Sequence, residues 1–546
     1  MDTERSITLA ALVGLVVSTV AADEVPPPET LEAERYVIGE VTLDKADVFD
    51  LSNPDENTWL YRAANRWHIM TRDKTIRKQL LFRPGDLYDR RLIEESERLL
   101  RQNKYLFDAE VKATQATDGR VDLTVSTRDI WSLAPELSIS RSGGETRTRI
   151  GLEEINLLGR GQRLRVLRDE DIDRNENIVE FSDQHLGRSW VSLLARYADN
   201  SDGNTSVLSV VRPFYALDTR WAAGGTIYDD DRRDKLYQYG EAAAEYRHER
   251  EYAMAFGGWS QGLISGKARR WTAGVVSDDN RFSPPAESAL PTVLPEDRKL
   301  VYPFIGFELV EDGFVTTHNQ DQMDRTEDFQ MGLQLRASLG WADTSFGSDR
   351  DAAIFAASMS RGFGSLEKTA LLVSARSQGR VESGDLANTL LSVDARYYHR
   401  QAENRTFFAA LSGTVGEALD LDNPVEIGGK SGLRGYPLRY QAGDSKVLAT
   451  IEQRYYTNWY PFRLARVGGA IFADAGRVWG ENPLGPDNRE WLVDVGIGLR
   501  LAMTRLSAGR VVHIDLAFPL DQRALLGLQI IALAVETFPL FFQLVT

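Results

Sequence analysis

The stretch Trp491–Leu501, "WLVDVGIGLRL", decides the fold. Trp491, Val493, Val495, Ile497, Leu499 and Leu501 share one face of an extended chain, and Asp494, Gly496, Gly498 and Arg500 share the other. Successive side chains of a strand point to opposite faces, so one face is apolar and the other charged or bare. The run "VVHIDLAFPL" repeats the pattern, with Val512, Ile514, Leu516, Phe518 and Leu520 set against His513 and Asp515. A soluble sandwich would bury the apolar row. A transmembrane barrel turns that row to lipid and keeps the charged row in its lumen. Segments of about ten residues with this alternation, separated by Gly, Asn and Asp clusters, run onward from Trp131. That is more strand than an ordinary sandwich holds.

The totals agree. After Ala22 the sequence has no run of about 18 apolar residues, and the mean hydropathy is -0.32, so spanning helices are not expected. The 546 residues carry 80 acidic and 64 basic side chains, a net charge of -16, which argues against nucleic acid as a partner. Cysteine is absent, which excludes disulfides and Cys-based metal sites or nucleophiles. Aromatic residues gather at segment ends: Tyr455-Tyr456, Trp459-Tyr460, Phe462, Trp479 and Phe541-Phe542, the placement of interfacial girdles. The segments number between about 16 and 20, and a closed antiparallel barrel requires an even count.

Ahead of the barrel the chain reads differently. Ile7–Ala22 is a short apolar run ending in small residues, which suits a signal peptide over 1–22 cleaved before Asp23, although Asp2 and Glu4 sit in its first residues. The alternative is an uncleaved N-terminal anchor. A Pro-rich linker follows over 23–35. Residues 36–130 form a small α+β domain of order β-α-α-β-β. The strand "YVIGEVTL" comes first, then a helix from Thr71 to before Pro84-Gly85, then a helix in "YDRRLIEESERLLRQNKYLFDAEV" with Leu92, Ser96, Leu99 and Leu100 on one face. Two strands turn at Asp118-Gly119, and Val121, Leu123 and Val125 alternate with polar residues. The insert Val48–Met70, rich in aromatics, has no assigned task. The barrel is expected over 131–546.

Two neighbouring stretches place charge where a barrel has little use for it. "GGKSGLRGYPLRY", Gly428–Tyr440, sets Arg434 among glycines and aromatics on a loop. "GGAIFADAGRVWG", Gly468–Gly480, is a strand in which Ile471, Ala473 and Ala475 face outward and Phe472 and Asp474 face the lumen. A loop that folds back into the barrel brings Arg434 to Asp474, with Gly432 and Gly435 allowing the tight backbone.

Leu433-Arg434-Gly435-Tyr436, followed by Phe472-Ala473-Asp474-Ala475-Gly476, resembles the signature of the BamA/TamA outer-membrane insertase superfamily, the bacterial surface antigen family, which includes two-partner secretion transporters. "EEINLLGRGQRLRV", Glu153–Val166, is similar to the family's first barrel hairpin, and 36–130 resembles a POTRA domain. The resemblance implies a barrel of about 16 strands, a lumenal loop pinned by Arg434 and Asp474, and a weak seam between first and last strands, here Thr146–Asn156 and Gly527–Phe538. It implies outer-membrane localisation with the POTRA in the periplasm. It also implies unfolded outer-membrane or secreted polypeptides as partners at the POTRA edge, with outer-membrane lipid around the barrel. The chain departs from the family by its single POTRA, by Glu536 where an aromatic is usual, and by "PLFFQLVT" after Phe538.

The function expected is an assembly factor or polypeptide translocator. The alternatives are a passive channel or an envelope-linking structural barrel, and the sequence sets no oligomeric state. Enzymatic chemistry is not expected. "GWSQG", Gly258–Gly262, lacks the strand–turn–helix of a nucleophile elbow, and "GGKS" lacks the first glycine of a P-loop, with Pro424 in its place. The six histidines are scattered without metal-ligand spacing, so no metal or cofactor is expected. "DDDRRD", Asp229–Asp234, reads as a solvated turn.

Overall fold

A computed structural model of the chain describes residues 25–142, 145–187, 189–323, 325–482, 484, 490–505, 511–520 and 529–535. The signal-peptide reading, Glu536, Phe541-Phe542 and the segment after Phe538 lie outside the described residues.

A small module comes first. Its three-stranded sheet places Arg120–Asp129 between Val37–Ala46, which is parallel to it, and Leu106–Thr117, which is antiparallel. Asp118 and Gly119 take the left-handed conformation (φ 50° and 73°) of a two-residue hairpin turn. Val121, Leu123 and Val125 are fully buried, as their alternation requires. The helix expected from Thr71 is shorter and spans Asp73–Arg77. Beyond it the N–H of Leu81 donates to the Ser96 hydroxyl at 2.9 Å, and Phe82 packs in the core. The second helix spans Arg90–Arg101, capped by Asp89, and "LFDAEV" already belongs to the strand that follows. Ser96, Leu99 and Leu100 pack inward, and Glu95, Arg98 and Arg101 are buried as well, because their face lies under the barrel.

The barrel is closed and antiparallel. Its strands follow chain order, from Leu133–Ser142 round to Gln529–Val535, which lies beside the first. Among the described residues it has 20 strands, not the 16 that the resemblance implies. Four long strands, Trp221–Gln238, Glu241–Ile264, Lys267–Ser283 and Arg298–Glu311, hold together well past the bilayer. A transmembrane strand needs only about 9–11 residues. "DDDRRD" lies inside one of them, not in a turn. Its charges are neutralised across the ladder and within the strand: Arg247 Nη2 of the neighbouring strand meets Asp231 at 2.6 Å, and Arg232 Nε meets Asp234 of its own strand at 2.8 Å. "GWSQG" also sits within a strand, Glu241–Ile264.

The first barrel strand is Leu133–Ser142, so Thr146–Asn156 falls on the second strand and the Glu153–Val166 motif joins the second and third. Pro135 hides the first strand from sequence reading, since proline is uncommon inside a ladder. The same proline leaves that strand one N–H short beside the seam.

Burial settles which face meets what. Ile497 is 55% exposed while Asp494 and Arg500 are buried, and Ile471 is exposed while Phe472 and Asp474 are buried. The apolar row faces out and the charged row faces in, the reverse of a soluble core. Tyr455, Trp459 and Phe462 point outward as girdle residues. Tyr456 points inward and donates to the Gln320 carbonyl at 3.3 Å.

Candidate functional site: a pinned loop and an obstructed lumen

The loop between Arg405–Glu417 and Ser445–Tyr456 turns back into the barrel. Arg434 meets Asp474 side-on, Nε to Oδ2 at 2.8 Å and Nη2 to Oδ1 at 3.1 Å. Its Nη1 also reaches Asp515 at 2.9 Å and Glu452 at 3.2 Å. The guanidinium carbon lies 3.3 Å from the centroid of the Phe472 ring, a cation–π contact. Asp474 sits directly across the ladder from Asp494. With Glu452 and Asp515 beside it, Asp474 belongs to a buried group of carboxylates that Arg434 answers.

The rest of the motif fixes the loop's position. The N–H of Gly435 donates to Asp494 Oδ2 at 2.9 Å, and a Cβ on Gly435 would stand 2.7 Å from the Asp494 Cβ. Gly432 has φ 127°, and any side chain there would strike Leu448. Tyr436 is buried and its hydroxyl donates to the Val493 carbonyl at 3.1 Å. Leu433 packs in the same cluster with Val425, Ile427 and Leu492. Gly476 leaves room for the side chain of Ile427. The structure thus brings Leu433, Arg434, Gly435, Tyr436, Phe472, Asp474 and Gly476 to one place.

Sequence reading placed Asp515 on the lumenal face without joining it to Arg434, and it missed Glu452. Glu452 also takes Arg454 at 3.1 Å and Arg500 at 3.3 Å. Alternation could have found it, because exposed Ile451 and Tyr455 put Glu452 on the lumenal parity. Arg434 is also not the loop's sole anchor. Arg439 holds Asp173 at 2.7 and 2.8 Å, Arg298 holds Asp422 at 2.9 and 2.7 Å, and Arg380 holds Asp420 at 2.6 and 2.7 Å. No local spacing in the chain announces these pairs.

The opposite mouth is covered by the module and by the segment 312–333. That segment carries a ribbon, Phe314–His318 with Thr326–Gln330. Arg101 on the module helix grips Asp328 at 2.9 and 2.6 Å, and Arg98 lies over the Phe314 ring at 3.4 Å. Thr326 donates to Asp108 at 2.8 Å, and Arg325 donates to the Arg101 carbonyl at 2.6 Å. Asp321 reaches into the lumen, where the Tyr398 hydroxyl donates to it at 3.1 Å. A cavity of about 2430 Å³ remains between the two closures, lined by Glu95 and Arg98 of the module at one end and by Arg434 and Asp474 at the other.

Glu327 locks this segment's turn. It accepts the N–H groups of Gln320, Asp321 and Gln322 at 2.7, 3.0 and 3.0 Å. Burial, with Asp321 beside it, pushes its carboxyl from 4.5 up to about 8. The folded segment then holds a proton that the released segment would lose. The stabilisation is complete below the ordinary value of 4.5 and is lost as pH rises through about 8. Hydrogen-exchange protection of 312–333 is therefore expected to fall on crossing that value from below, with Asp321 and Arg454 unchanged in place. Glu327→Gln, which stays neutral, should flatten the profile. An equally steep profile in that variant would assign the titration to another group.

Two family models match the chain in order. The Surface antigen variable number repeat, the POTRA model, covers residues 68–128, and the Omp85 superfamily domain covers residues 321–524. Over those residues the chain carries a POTRA domain and an Omp85 superfamily domain. These two matches support an outer-membrane protein engaged in polypeptide insertion or translocation. No curated protein matches the chain. Among solved structures it is similar to BamA from Haemophilus ducreyi lacking POTRA domains 1–3, at 13% identity over 90% of this chain and 83% of that one, with a TM-score of 0.36. It is also similar to CdiB from Acinetobacter baumannii, at 11% identity over 89% of this chain and 71% of that one, TM-score 0.42. CdiB from Escherichia coli stands at 13% identity over 88% of this chain and 73% of that one, TM-score 0.41. Superpositions this loose add nothing to the assignment, which rests on the two sequence matches.

Proposed function

We propose that this Omp85 barrel assembles outer-membrane proteins or passes polypeptides across the outer membrane, with the module in the periplasm, and that the chain does no covalent chemistry. The obstructed lumen carries the reading. A passive channel needs a continuous water path, whereas this lumen is occupied at one mouth by the pinned loop and at the other by the module and the segment 312–333. The remaining route is lateral, through the seam between Leu133–Ser142 and Gln529–Val535. Opening it would expose a strand edge, which the closed barrel otherwise hides. An incoming strand would pair there by β-augmentation.

The module edge that receives an extended segment is Leu106–Thr117. Its first half is taken: the Ala109 carbonyl accepts Arg101 Nη1 at 3.0 Å, and the Val111 N–H donates to Glu97 at 2.6 Å. Beyond Val111 it has no outer neighbour strand among the described residues.

The test is the folding of an unfolded porin into liposomes that contain the protein, compared with Arg434→Ala and with a deletion of residues 36–130. The reading expects acceleration by the wild type and its loss in both variants. No acceleration over empty liposomes, together with steady conductance at rest, would favour the channel.

A further inference from the structure

The insert Val48–Met70 contains a helix, Trp59–Trp67, capped by the Thr58 hydroxyl. One side of it is committed to the protein. Tyr61 stacks on Phe49 with ring centroids 4.3 Å apart, and its hydroxyl donates to the carbonyl of Phe462 on a barrel turn. Asn65 brackets the Phe49 backbone, accepting its N–H at 3.1 Å and donating to its carbonyl at 2.8 Å. Arg505 of the barrel donates to the Val48 carbonyl at 2.7 Å, and Arg463 pairs with Asp55. The helix is therefore fixed against the rim of the barrel.

Its other side is apolar and open. At 100° per residue Trp59, Leu60, Ala63 and Trp67 fall within one narrow stripe. Trp59 is 73% exposed, Trp67 75% and Leu60 53%, and Ile69 just beyond is also exposed. Exposed Arg62 and Arg66 flank the stripe. The barrel turn that Tyr61 grips carries two more outward aromatics, Trp459 and Phe462, the latter 81% exposed and held outward by a left-handed backbone of φ 54°. That turn continues the lipid-facing row of Ile451 and Tyr455.

We infer that Trp59–Trp67 is an interfacial anchor: it lies in the headgroup region of the bilayer at the module end of the barrel, with Trp59, Leu60 and Trp67 in the acyl boundary. Three observations commit the stripe to lipid. It is continuous with the aromatic girdle through Phe462 and Trp459. Its composition, Trp and Leu on one face with Arg on the flank, is that of a helix lying in a membrane interface. Cationic flanks also match anionic headgroups. The anchor would hold the module at a set height under the mouth, whatever polypeptide the barrel handles.

Because the chain has no cysteine, single cysteines report cleanly. Trp67→Cys and Leu60→Cys would carry a polarity-sensitive fluorophore, with the full chain reconstituted in vesicles of phosphatidylethanolamine and phosphatidylglycerol. Leu411→Cys, on the lipid face, gives the bilayer reference. Arg120→Cys, at the distant end of the strand that leads into the barrel, gives the water reference. Retained heat-modifiable gel mobility certifies folding, and two probe positions guard against loss of one variant. The expected result is blue-shifted emission at both helix positions, with quenching by lipid-borne nitroxide several-fold above that at Arg120→Cys and protection from iodide. Iodide quenching equal to that at Arg120→Cys overturns the inference. Protection from both quenchers overturns it as well, since the stripe would then be covered by protein.

Discussion

Arg434→Ala is expected to lower the unfolding stability of the barrel by about 3–5 kcal/mol, the usual cost of removing one partner of a buried pair. The loss falls on Asp474, which is 1% exposed and faces Asp494 across the ladder. Asp515 and Glu452 keep Arg500, so they are not left unpaired. Urea titration followed by heat-modifiable mobility measures the stability, and planar-bilayer recording measures the lumen. Conductance should rise, because the loop then keeps its anchor to Asp173 but loses the one deep in the lumen. Arg434→Lys should recover part of the stability, as a lysine keeps the charge without the side-on fork. A double-mutant cycle with Asp474→Ala isolates the pair. Unchanged stability and a closed lumen in Arg434→Ala would show that Tyr436 and Arg439 alone hold the loop.

Arg101→Ala is expected to release the other closure. Arg101 joins three parts of the molecule: Asp328 on the ribbon, the Ala109 carbonyl of the module edge, and Glu97 at 3.5 Å. It is buried, so its removal leaves Asp328 without its cation and should cost about 3–5 kcal/mol of local opening free energy. Hydrogen exchange in 312–333 should quicken by orders of magnitude while the barrel strands stay protected, because opening here is local. Asp328→Ala should give the same exchange pattern. If both variants exchange as the wild type does, the contacts of Arg325 and Thr326 are sufficient for closure.

Much of this was legible in the chain itself. The alternation at Trp491–Leu501 needs only the period of a strand, and it placed Asp494 and Arg500 inward without any knowledge of the rest. The spacing of Arg434 and Asp474, with glycines about the arginine, was enough to expect a returning loop. Other features were hidden for physical reasons. Leu133–Ser142 carries Pro135, which suppresses the strand signal. Asp229–Asp234 reads as a turn because part of its charge is balanced by residues on neighbouring strands, such as Arg247. The Val48–Met70 insert had no readable task because its inward residues, Tyr61 and Asn65, are defined by contacts with Phe462 and Phe49.

The sequence by itself determined that this is a barrel with an apolar exterior, a charged lumen and a small module in front of it. Those properties follow from side-chain alternation and turn chemistry, which act over a few residues. The tertiary structure alone decided the 20 strands among the described residues, the identity of the first one, the several arginines that anchor the loop, and the covering of the second mouth through Arg101 and Asp328. Strand number is a property of ring closure, and ion pairs such as Arg101 with Asp328 or Arg439 with Asp173 join residues more than two hundred positions apart. No local period carries that information, because it arises only when the sheet meets itself.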